Sequence, residues 1–145
     1  LLREYRNRWY VIAWNALKGQ FRTYGLDRIE AVQSTTETFQ PQSSFNADEF
    51  FVHSFGISKI SEHPRDIRIR CDRLQHEYLS SQPVHSSQEL TQIDENRFEL
   101  KLHVLLTFEL VQFLMGLGPA VEVIEPLELK LLIKNQLEKT LDQYR

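Results

Sequence analysis

The spacing of hydrophobic and polar positions changes several times along the chain, and each change marks an element. Tyr5 to Trp14 is rich in aromatic and β-branched residues and predicts a strand. Asn15 to Gly19 predicts a turn, and Gln20 to Ile29 a second strand. Glu30 to Phe39 begins apolar, turns polar and predicts a third. Three short strands in succession suggest a meander from a small barrel, too few to close one. A polar connector, Gln40 to Ser44, precedes a short helix with Asn46 as N-cap and acids in its first turn, running to His53 or Ser54.

Beyond a linker at residues 56–66 the pattern alternates cleanly. Ile67, Ile69 and Cys71 share one face of a strand. Asp72 to Gln75 resembles a capping box and opens a helix to about Ser80, closed by Pro83. Residues 87–93 and 97–105 predict a hairpin around Asp94-Glu95-Asn96, with Phe98, Leu100, Leu102 and Val104 on one face. Thr107 caps a helix through Met115, stopped by Gly116 and Gly118-Pro119. Ala120 to Glu125 predicts a strand. Pro126 then starts a final helix with an apolar stripe of Leu129, Ile133, Leu137, Leu141 and Tyr144. The order βαββαβ plus a terminal helix is ferredoxin-like. The predicted class is therefore α+β: a partial barrel at 1–55, the linker, and a ferredoxin-like domain at 67–145.

Composition narrows the picture. The 145 residues are 41% hydrophobic and 26% charged, which excludes a wholly disordered chain. No apolar run approaches a membrane span, so no membrane partner is expected. A single cysteine, Cys71, excludes an internal disulfide and a cysteine-rich zinc site. With no signal-peptide pattern, a reduced cytoplasm is the expected location. A start at Leu1-Leu2 without an initiator Met is read as a fragment of a longer protein. The net charge of −3 is uneven: residues 1–30 carry six basic and three acidic side chains, the remainder eleven and seventeen. The first segment is thus locally attractive to an anion.

Arg22 and Arg28 stand six positions apart and share parity if the strand is regular, which would make a fork for phosphate oxygens. Arg8 and Tyr10 share parity on the neighbouring strand and could join them, an aromatic ring beside arginines suiting a stacked base. The competing reading pairs Arg28 with Asp27 or Glu30 and leaves the arginines as solvated surface. Trp9 is expected in the core and Tyr10 at the exposed edge. Cys71 reads as a small core residue. No histidine spacing suits a metal, no cofactor motif occurs, and no catalytic group is nominated. The terminal stripe reads as packing on the sheet, with a dimer seam as the other use of the same pattern.

Two stretches resemble one bacterial family. Arg8-Trp9-Tyr10-Val11 followed by Phe21 to Ile29 resembles the WYL domain signature. Tyr78-Leu79, Pro83 to Gln88, Leu114 to Pro119 and Val121 to Pro126 resemble the WCX extension that follows WYL domains. The resemblance implies a transcriptional regulator: a winged helix-turn-helix for operator DNA, an Sm-like WYL barrel that senses nucleic acid or nucleotides, and the extension, often as a homodimer. It implies no enzyme. The DNA-binding domain and the first barrel strands have no counterpart here, and Gly25 stands where many members have a basic residue. His85, inside the second match, is expected to contact ligand or partner, or to stabilise its turn. The alternatives to ligand sensing are a dimerisation or interaction module, and a small-molecule enzyme whose turnover would depend on His85 or Glu30.

Overall fold

The computed structural model describes residues 1–40, 45–58 and 63–145, so most of the predicted connector at 40–44 and the middle of the linker at 56–66 lie outside the described residues. Two compact units result, Leu1–Phe51 and Val52–Arg145.

The first unit is an antiparallel sheet of β1 (Leu2–Tyr5), β2 (Arg8–Asn15) and β3 (Gln20–Gly25), in that order. A sequence reading of one strand over 5–14 misses the turn inside it. Arg6 and Asn7 both adopt positive φ, 52° and 62°, and pair Tyr5 with Arg8 across a two-residue hairpin. The strand predicted to Ile29 stops at Gly25, where Leu26–Arg28 wind into a 3-10 turn. The third predicted strand, 30–39, does not form; its residues are exposed. No closed barrel forms among the described residues. α1 (Ala47–Phe51) starts as predicted, with the Asn46 side chain accepting from the Asp48 backbone N–H at 3.0 Å.

The second unit holds β4 (Arg65–Cys71), α2 (Arg73–Ser81), β5 (Glu89–Gln92), β6 (Phe98–Val104), α3 (Phe108–Gly116), β7 (Val121–Glu125) and α4 (Leu127–Asp142). The sheet order is β5-β6-β4-β7, with every neighbouring pair antiparallel. This is the ferredoxin-like α+β arrangement that the alternation predicts. Ile69 and Leu100 face each other across β4 and β6 with no exposure at all. Burying each such side chain is worth about 1.5–3 kcal/mol. Helix starts follow the predicted caps: Asp72 accepts from the Gln75 backbone N–H, and Thr107 from that of Leu110. Cys71 is a core residue, and burial pushes its thiol pKa up.

Residues 52–58 run as a strap that packs with this second unit. Phe55 joins its core, and its carbonyl accepts from the Thr107 hydroxyl at 2.7 Å. Ser58 donates from its backbone N–H and its hydroxyl to Glu109 Oε1, at 3.1 and 2.8 Å. The Leu105 N–H donates to the His53 carbonyl at 2.8 Å.

Candidate functional site

Strand register decides which of the predicted site residues meet. Tyr10 lies opposite Gly25 and Ala13 opposite Arg22, and directly paired residues project to the same face. Alternation along β2 then puts Arg8 and Tyr10 on one face and Arg22 on the other. Parity cannot extend to Arg28, because the strand has ended before it. Arg28 nevertheless reaches the Tyr10 face by folding back. Its Nε and Nη2 lie 3.0 Å from where a Cβ on Gly25 would stand, and Asp27 Oδ1 lies 2.6 Å from the same point.

Asp27 also pairs with Arg8, Nη1 to Oδ2, at 3.6 Å. The face therefore carries Arg8 and Arg28 about one carboxylate, beside the ring of Tyr10. Gly25 is buried in an ordinary extended conformation, so its lack of a side chain serves space and not backbone freedom. On the same face Arg3 is already engaged, its guanidinium 3.9 Å from the centre of the Phe51 ring.

Arg22 sits on the opposite, more open face with Trp9 and Tyr24. Trp9 is 54% exposed, which reverses the expectation that it faces the core and Tyr10 the solvent. Tyr10 is half-buried, because its face also carries Ile12, which is buried. The Tyr24 hydroxyl accepts from Asn15 Nδ2 at 2.7 Å, holding that ring along the sheet.

His85 lies in the second unit. The Ser87 backbone N–H donates to its Nδ1 at 3.1 Å, which leaves the ring proton on Nε2 to meet the Val52 carbonyl. The turn-stabilising reading thus has its hydrogen bonds in place. Burial pushes the pKa of His85 down, as does the nearby His53. The bond to Val52 opposes them, and His103 adds to the depression. His53 stacks edge-to-face on His103 with ring centres 4.8 Å apart, while Asp66 reaches His103 Nδ1 at 2.6 Å. No group of histidine, cysteine and carboxylate side chains suited to a metal occurs among the described residues.

A lowered folded pKa means that the unfolded chain binds the proton first as pH falls. The stability tied to neutral His85 is complete above the ordinary histidine value, about 6.5, and is lost as pH falls through it towards the lower folded value. Thermal melting is expected to drop between neutral and mildly acidic pH, and less steeply in His85→Gln. Equal slopes in the two proteins would remove His85 as the source.

These features define a two-unit α+β chain whose second unit is a ferredoxin-like sheet extended by a helix. The WCX domain matches residues 63–141, more than half of the chain, and the chain belongs to that family. The WYL domain matches residues 1–34. No curated protein matches the sequence. Among solved structures it is similar to the proteasome accessory factor B/C (PafBC) of Arthrobacter aurescens. Identity is 22% and the TM-score 0.45, over 97% of this chain and 21% of that one. The chain thus spans about a fifth of that protein's length. No helix among the described residues is long and apolar enough to cross a membrane.

Proposed function

We propose that this chain is the regulatory part of a bacterial WYL-type transcription regulator. Residues 1–55 are its WYL segment, residues 67–145 its WCX extension, and 56–66 join them. The WYL segment binds nucleic acid or a nucleotide, two copies pair, and operator DNA is engaged by a winged helix-turn-helix outside this chain. The chain acts in the cytoplasm and catalyses no reaction.

The observation that carries this reading is the return of Arg28 over Gly25 beside Arg8 and Tyr10. Gly25 occupies a position where many family members have a basic residue, and Arg28 brings a guanidinium to that place. Two arginines beside one exposed carboxylate, which pairs with Arg8, hold an excess positive charge, and a phosphate can replace Asp27 as the partner of Arg8 while also meeting Arg28. Tyr10 supplies an apolar ring on the same face. Arg22, across the sheet, is left out of this site.

Fluorescence anisotropy with a labelled single-stranded oligonucleotide tests it. Binding at low salt should weaken as salt rises. Arg8→Ala/Arg28→Ala should weaken it by about tenfold or more, two charge-assisted contacts being lost. Arg22→Ala should change it by less than about threefold, the scale of one distant screened charge. Unchanged binding by the double variant would sink the assignment. No binding by any protein would favour the interaction module instead, a reading supported by the exposed leucines of α4.

A further inference from the structure

α4 is apolar on more of its circumference than one packed face requires. Leu129 is fully buried against the sheet, yet Leu131, Leu132, Leu137 and Leu141 are exposed. Large apolar side chains exposed together on one helix mark a surface that is normally covered. Beside it, between its C-terminal half, the end of α3 and the edge strand β7, runs an open groove of about 680 Å³. Leu114, Met115 and Val121 form the groove wall facing Ile133, Leu137 and Leu141, and Lys134 and Glu138 flank it.

We infer that this groove takes α4 of a second copy of the same chain, laid antiparallel. The helix supplies both halves of such a contact, which is what a two-fold interface between identical chains requires. With Gln136 of each helix at the axis, one side-chain level follows another every 1.5 Å. Lys134 then comes level with Glu138 of the partner subunit, and Leu131 with Leu141 of the partner subunit. In an antiparallel pair, residues on the same flank of each helix face one another, and Lys134 and Glu138 share a flank. Both are exposed, and within one chain they form an i,i+4 pair at 3.7 Å. The two-fold creates the opposite-charge contact twice. Ile133, Leu137 and Leu141 stand at levels between those of their copies, so the leucines interdigitate rather than collide. The inference rests on the homodimer reading above and adds the seam to it.

The test uses two charge reversals, Lys134→Glu and Glu138→Lys, each checked for wild-type helicity by circular dichroism. Either variant alone would set like charges against each other twice across the seam. Mixed in equal amounts, the two variants restore both opposite-charge contacts between chains, while each keeps its like-charge pair within the helix. Analytical ultracentrifugation at low salt should show a dimer for the wild-type chain. Each variant alone should dissociate about tenfold more readily, and the mixture should recover. A wild-type dimer that neither reversal weakens would overturn the seam and leave the homodimer reading standing. Variants that weaken equally whether alone or mixed would overturn it too. A monomeric wild-type chain would overturn both.

Discussion

Replacing Gly56 by alanine is expected to destabilise the second unit by about 3 kcal/mol or more, from two additive causes. Gly56 has φ +94°, outside the region an L-residue occupies comfortably. A Cβ there would also stand 2.8 Å from Cγ and 2.9 Å from Cβ of Glu109. Glu109 lies in the first turn of α3, so its Cβ is fixed by the helix backbone and cannot withdraw. Relief has to come from the strap, at the expense of the bonds from Ser58 to Glu109 and from Thr107 to the Phe55 carbonyl. Gly118→Ala is the matched control. Its φ is +59° and nothing lies within 4 Å of its Cβ position, so it carries the backbone cost alone, about 1–2 kcal/mol. Urea unfolding of the three proteins separates the causes. Equal losses for the two variants would show that the strap yields to Glu109 at no cost.

Little in the sequence announces that contact. Glu109 reads as an ordinary acid in the first turn after a Thr cap, and the strap reaches it from some fifty residues earlier. The elements of the second unit are legible for the opposite reason, since their signals are local. Period-2 alternation at Ile67, Ile69 and Cys71, and the caps at Asp72 and Thr107, need no knowledge of distant partners.

The first unit shows where local signals run out. Arg6-Asn7 sits between aromatic residues and reads as strand, although Asn tolerates positive φ. Turn placement fixes register, and register fixes faces, so one unrecognised hairpin or strand end reassigns side chains wholesale. Arg22 and Arg28 are the example. Their common parity assumes six residues of continuous strand, and the chain turns at Gly25. The group that does assemble, Arg8, Tyr10 and Arg28, contains three of the four first-unit residues expected at a site, gathered by a backward fold that parity could not foresee. His85 divides in the same way. Its hydrogen bond to Ser87 is two residues away and readable, whereas His53 and His103 come from other elements.

Leu129→Ala is expected to cost about 2–5 kcal/mol, while Leu137→Ala, on the same stripe, costs well under about 1 kcal/mol in the isolated chain. Spacing along α4 makes the two look equivalent. Their environments are not: Leu129 is 0% exposed and Leu137 51%. Leu129 projects into the core between the sheet and α3, so its removal leaves a cavity bounded by elements held in place from other directions. It is also the only fully buried anchor of α4, Ile133 being half-buried. The loss should therefore appear first as opening of α4. Amide exchange in residues 127–142 should accelerate more than in β6, whose Leu100, Leu102 and Val104 stay sealed. Uniform acceleration through both elements would mean that α4 and the sheet open as one cooperative unit. Leu137→Ala should leave exchange unchanged at high dilution and raise it in α4 at concentrations where two copies pair, because there Leu137 is covered by the partner's helix. An α4 with the same exchange at both concentrations, in wild type and variant, would show that its exposed leucines meet water and no second chain.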